Sequence, residues 1–396
     1  HSFPTRRSSD LKYLQGAAAT LNVAKGLDVS AFVSYRTIDA TVKNDSISTI
    51  QTSGLHRTEL EIEKQGAAKA FLAGGNLHYS FNGFHVGATG IFYSYSLPLY
   101  PDKSQLYKRF APEGKSFWNM SVDYGYVSHR LTMQGETAMG DCGVVATINS
   151  MSYLFSEKWS LLALYRFYPY RYYAMYSNSF KAGSDVQDES GGYVGMRWTP
   201  SAKWMVEAYG DVAYFAWPKY HTTGSTYAMD YLVSAVCQLS SFISMGARYQ
   251  YKWKNEATTQ RARLYLRMNR SAWSSKTQVD ATWLSGSRGY MASEAFAYRY
   301  RWLRLQASMG YFHTSDYDSR VYALEPGMLY TMSFGSYFGE GIRCALLAKV
   351  DVGSHWLLAC KWAMTQYFDR NHISSGLQQI NGSCQSDLEL QLKWKW

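Results

Sequence analysis

Nowhere in its 396 residues does the chain hold the run of about 18 apolar residues that a helical membrane span needs. Charge is scarce too: Asp, Glu, Lys and Arg make up 18%, against about a quarter in an ordinary globular chain. Cysteine occurs five times, as Cys142, Cys237, Cys344, Cys360 and Cys384. These form no C-x-x-C pair and match no zinc or haem spacing, so no metal site is expected. Cys237, Cys344 and Cys360 fall on the apolar phase of predicted strands and read as small lipid-facing side chains. Enzyme signatures are missing as well: there is no G-x-S-x-G, H-E-x-x-H, P-loop or G-x-G-x-x-G after a strand. The His residues are scattered, so only a triad assembled from distant strands would make this an enzyme. No catalytic residue and no cofactor is expected.

What the chain has is aromatics, at 16%, with 34 Tyr and 13 Trp. It is also mildly polar on average. That combination suits strands that alternate between lipid and a watery lumen. The ending shows the pattern most clearly. Leu388, Leu390, Leu392, Trp394 and Trp396 alternate with Glu389, Gln391, Lys393 and Lys395, the period of a strand with one oily face. Exposed at the edge of a soluble sandwich, such a strand invites aggregation. In a membrane barrel it closes the sheet and puts its aromatic end at the interface. It also resembles the last strand of Gram-negative outer-membrane barrels, where a final aromatic is part of the assembly signal. Outer-membrane lipid and barrel-assembly machinery are therefore the expected partners.

Residues 1–11, HSFPTRRSSDL, read as the translation of a sequencing-library adapter and are set apart from the native chain. Setting aside Arg6, Arg7 and Asp10 lowers the net charge only from +10 to +9. The native start is then expected to lie upstream. Residues 12–396 read as one barrel domain, all-β and antiparallel, with about 18–20 strands that need not close. Hairpins are expected at Lys25-Gly26 and Asn82-Gly83, and Pro326-Gly327 should bend a strand spanning 321–335. The Tyr-rich start of 169–190, YPYRYYAMY, suits a bilayer interface. Residues 56–66 break the strand pattern. Thr58 with Glu61 makes a capping box, and Glu59, Glu61 and Glu63 make the helix acidic. It is too polar for lipid and is expected as a plug in the lumen, or else in a surface loop.

The candidate site is a basic wall. Arg248, Lys252, Arg261, Arg263, Arg267, Arg299, Arg301 and Arg304 sit on the polar phase of neighbouring strands. A confined basic wall attracts anions such as nucleic acid, anionic polysaccharide, lipid head groups or acidic protein segments. The alternative is a wall neutralised inside the lumen by the acidic helix, with Asp211, Asp280 and Glu294 helping.

Four long stretches carry a family resemblance: KYLQGAAATLNVAKGLDVSAFVSYRTIDATV (12–42), SISTIQTSGLHRTELEIEK (46–64), LLALYRFYPYRYYAMYSNSF (161–180) and GGYVGMRWTPSAKWMVEAYGDVAYFAWPKY (191–220). They resemble the barrel region of large outer-membrane proteins of the helix-hairpin-helix, ComEA-like kind. That family carries a small helix-hairpin-helix module and further strands ahead of this region. Such modules grip nucleic-acid backbone, so the resemblance implies DNA handling at the outer membrane. Together the readings give a barrel that acts as a conduit for uptake or secretion. A structural or assembly platform, and less so a barrel-embedded hydrolase, are the alternatives.

Overall fold

The computed structural model describes residues 13–52, 54, 56, 58–331 and 333–394. The adapter segment and Trp396 lie outside the described residues. In chain order the elements are β1 (Gly16–Ala24), β2 (Leu27–Ile38), β3 (Ala40–Lys43), β4 (Ser46–Ile50), the helix α1 (Glu59–Glu63), β5 (Ala68–Phe81), β6 (Phe84–Leu99), β7 (Gly114–Val127), β8 (Leu131–Gly140), β9 (Val145–Ser156) and β10 (Trp159–Tyr168). Then come β11 (Glu189–Ser201), β12 (Trp204–Phe215), β13 (Thr226–Gln238), β14 (Ile243–Lys254), β15 (Ala257–Asn269), β16 (Trp273–Leu284), β17 (Ser287–Tyr300) and β18 (Leu303–Thr314). The last are β19 (Val321–Glu325), β20 (Ser333–Tyr337), β21 (Glu340–Val352), β22 (Trp356–Tyr367), β23 (His372–Ile373), β24 (Ile380–Asn381) and β25 (Cys384–Trp394). Twenty-one of these strands share one sheet, while β19–β20 and β23–β24 form separate two-stranded ladders. No described helix is long and apolar enough to cross a membrane.

The chain divides into two compact units. The first holds residues up to 196 together with 210–229. In it β1, β2, β5, β6, β7, β8, β9 and β10 pair antiparallel in that order. Asn82 and Gly83, at φ 46° and 84°, supply the left-handed pair that a tight hairpin needs. The β3–β4 hairpin and α1 are inserted between β2 and β5. Tyr35, Leu77, Phe92, Val122 and Met133 stand exposed on one face of the sheet, while Ser34, Leu72, Tyr93 and Phe117 are buried on the other.

The second unit holds residues 197–209 and those from 230 onward. In it β14, β15, β16, β17, β18, β21, β22 and β25 pair antiparallel in that order. Along β22 exposure alternates strictly: Trp356, Leu358, Cys360 and Trp362 are exposed, and Leu357, Ala359, Lys361 and Ala363 are buried. On β25 the outward residues are Leu388, Leu390, Leu392 and Trp394. Leu390 is 74% exposed, and Trp394 stacks on Trp356 at 6.0 Å. A wide band of exposed Leu, Met, Tyr and Trp would cost roughly 1.5–3 kcal/mol per large side chain in water, and lipid removes that cost. Cys344 and Cys360 share this outward face; Cys237 is buried, on the same phase of β13 as the exposed Tyr231 and Val233.

Two expectations fail for one reason: segments read as wall or rim fold inward. Residues 321–335 are not one spanning strand. Pro326 and Gly327 lie between β19 and β20, a short hairpin packed against the inner face of the second unit. The Tyr-rich stretch after β10 is not an interfacial belt either. Tyr172 is 3% exposed, packed near Tyr168 and Ala146. Tyr173, Met175 and Tyr176 pack on Tyr93, Tyr95 and Phe117 of the first unit's inner face.

Candidate functional site

Register decides which basic side chains meet. Arg248 stands directly opposite Arg263, Gln250 opposite Arg261, and Ser244 opposite Arg267. Across the next ladder Arg263 faces Asp280 and Arg267 faces Lys276. Further on, Arg299 faces Arg304, and Arg304 faces Lys349. The alternation therefore puts Arg248, Lys252, Arg261, Arg263, Arg267, Arg299 and Arg304 on one face, as the sequence predicts. Arg301 does not join them. It occupies the β17–β18 turn at φ 39°, exposed, with its guanidinium 5.7 Å from the Tyr300 ring.

Like charges directly opposite repel, and the wall's own acids offset part of this. Arg263 Nε donates to Asp280 Oδ1 at 2.6 Å, Lys252 pairs with Asp230 at 3.3 Å, and Arg304 Nη2 donates to Asp351 at 2.8 Å. Among the described residues no ion pair within 4 Å involves Arg248, Arg261, Arg267 or Arg299. Aromatic faces take some of that charge. The Tyr265 ring covers Gly246, with Arg267 and Lys276 at 5.9 and 5.3 Å from its centre, and Arg261 lies 5.7 Å from the Tyr322 ring.

The acids expected to neutralise the wall behave differently. Asp280 does so. Glu294 does not: it stands opposite Met309 on the apolar face and accepts from Ser275 and Thr277 at 2.5 and 2.6 Å. Asp211 serves Arg166 in the first unit. The helix forms with its cap in place, Thr58 Oγ1 accepting the Glu61 N–H at 3.2 Å. With Glu59, Glu61 and Glu63 it spans only five residues and buries none, so it is not a packed plug. Asp39 tethers the region, accepting from Gly66 N at 2.9 Å and pairing with His56 at 2.8 Å.

The inner faces are instead covered by the inturned segments, each held by a charge cluster of which the sequence reading named only Asp211. In the first unit Arg166 is fully buried. It donates to Asp211 at 2.7 and 3.1 Å and to Glu189. Glu189 also accepts the Ala182 and Gly183 N–H groups, both at 2.8 Å, which ties the segment to the sheet. In the second unit Glu325 of β19 receives a two-point contact from Arg343, at 2.8 and 3.0 Å, and a hydrogen bond from the Tyr337 hydroxyl. Lys361 Nζ lies 3.7 Å from the same carboxylate and donates to Ser333 Oγ at 2.8 Å. Burial alone would raise the Glu325 carboxyl, but Arg343, Tyr337 and Lys361 outweigh it and hold it below the usual glutamate value. Arg343 and Lys361 sit on the same inward phase as the wall, so alternation could have found them.

Among the described residues no group of three or more His, Cys, Asp or Glu is placed to hold a metal ion. No protein-family model matches the chain, and no curated protein matches it. Among solved structures it is similar to the apoprotein form of the FrpB iron transporter from Neisseria meningitidis, with a TM-score of 0.50 and 8% identity over 96% of this chain and 71% of that one. It is similar in the same degree to the copper transporter OprC, with a TM-score of 0.50 and 8% identity over 96% and 70% of the two chains. At that identity the likeness carries the fold alone. The fold is that of outer-membrane β-barrels. With the broad apolar face described above, whose natural solvent is lipid, the chain is an outer-membrane protein.

Proposed function

We propose that this barrel is a transport conduit whose inner wall favours anionic solutes. The observation that carries the reading is the set of inward cations, Arg248, Arg261, Arg267 and Arg299, for which the described residues supply no carboxylate within ion-pair distance. Between low-dielectric walls such a row concentrates anions. In barrels of this fold the short turns face the periplasm and the long loops face outward. The turns at 270–272, 301–302 and 353–355 then mark the periplasmic end of the second unit, and residues 315–339 enter from the outside.

DNA or another polyanion is one guest this charge pattern would suit, and the ComEA-like family resemblance supports that choice. The refolded barrel should bind DNA in a salt-sensitive way, weakened by Arg261→Glu with Arg263→Glu. Unchanged affinity in the double variant would remove the wall from the account. The last strand would serve the barrel-assembly machinery. A second reading, a non-conducting platform, is favoured by the inturned segments on both inner faces. Planar-bilayer recording separates the two. Anion-selective steps support the conduit, and electrically silent, correctly folded barrel supports the platform.

A further inference from the structure

The Glu325 clamp has the form of an occupied binding site. Its receptor half belongs to the wall: Arg343 on β21, with Lys361 and Thr365 on β22. Arg343 is locked in place, since Nη1 donates to Thr365 Oγ1 at 2.9 Å while Nε and Nη2 point at the carboxylate. Its occupant half belongs to the inturned segment, which supplies Glu325, Tyr337 and Ser333. A guanidinium fork aimed at two oxygens, with an ammonium beside it, is the geometry that selects a carboxylate over a spherical anion. Of the two acids of β25 nearby, Asp387 is farther from Arg343, at 4.0 Å, while Glu389 shares Lys361 with Glu325, at 3.6 and 3.7 Å, so the Arg343 fork is what sets Glu325 apart. The segment's other anchors involve no second carboxylate in a guanidinium fork: Lys349 donates to the Gly327 carbonyl at 2.9 Å, Leu329 N donates to Gln391 at 2.8 Å, and Val321 and Met328 pack in apolar clusters.

We propose that Arg343, Lys361 and Thr365 form a carboxylate-binding site on the inner wall, with Glu325 as its built-in occupant. A carboxylate-bearing solute exchanges with Glu325 and thereby frees residues 315–339 from the wall. The inference rests on the conduit reading for its consequence, passage, but not for the site itself.

Succinate, with neutral succinamide as control, is the probe, titrated into the refolded barrel in detergent. Glu325→Gln vacates the site. It should bind succinate at least tenfold more tightly than wild type, and Glu325→Gln with Arg343→Gln should lose that gain. Equal succinate binding in all three proteins, or binding indifferent to Arg343, overturns the site. Folding is checked by heat-modifiable migration on gels. If Glu325→Gln does not refold, Glu325→Asp is read in its place. The shorter acid breaks the two-point contact and should give intermediate succinate binding, and wild-type binding there overturns the site. Bilayer recording of the same proteins keeps the two claims apart. Arg343-dependent binding without conductance leaves the site standing and removes the conduit. Conductance without Arg343-dependent binding does the reverse.

Discussion

Replacing Arg166 by Met is the sharpest test of how the inner segment of the first unit is held. The guanidinium is fully buried and serves three acceptor oxygens, two on Asp211 at 2.7 and 3.1 Å and one on Glu189. Methionine keeps much of the aliphatic stem but gives up the guanidinium that lies 5.0 Å over the Phe180 ring. What changes is charge: two carboxylates lose their cation at once. Breaking a buried pair by removing one partner costs about 3–5 kcal/mol. Glu189 retains the Ala182 and Gly183 N–H groups, so most of the loss falls on Asp211. Arg166→Met with Asp211→Leu should therefore recover about 1–3 kcal/mol of it, since an apolar pair needs no counter-charge. The assay is urea unfolding in detergent followed by Trp fluorescence, with proteolysis inside residues 169–188 as a local readout. A single variant within about 0.5 kcal/mol of wild type, the usual range for an inconsequential surface change, would refute the reasoning.

Two further outcomes follow from the same geometry. Because the Glu325 carboxyl is held below its ordinary value, its contribution is complete above the unfolded value of about 4.3 and disappears as pH falls through the folded value. Proteolysis of residues 315–339 should stay slow at neutral pH and accelerate only in acid below that range, and acceleration near pH 6 would point to another group. On the outer face, Leu390→Arg should cost roughly 2–4 kcal/mol in urea unfolding from lipid vesicles, against near zero for Ser293→Arg on the inner face, and equal costs would contradict the assigned faces.

Most of the strand pattern was legible because the barrel's two environments impose period two on every spanning segment. Residues such as Ile243 to Trp253 announce both strand and face, and the register confirms the phase. The inward segments were not legible, for a physical reason. Tyr172 and Tyr173 have the amphipathic character that suits a bilayer interface as well as a tyrosine-lined interior, and only long-range packing chooses. The same holds for Glu325, one carboxylate in a five-residue strand, far in sequence from the Lys361 ammonium that it approaches. The acidic helix misled through charge alone. Three glutamates looked like a partner for the wall, yet five residues with nothing buried cannot form a packed plug. Glu294 misled through phase, since it lies on the apolar side of β17.

The central claim is that the apolar phase meets lipid and the arginine phase does not. Single nitroxide labels placed along residues 260–267 of β15, in the barrel reconstituted into vesicles, test it by power saturation. Oxygen collision should peak at Ala262, Leu264 and Leu266 and fall at Arg261, Arg263 and Arg267. The opposite phase, or no period of two, would contradict the account.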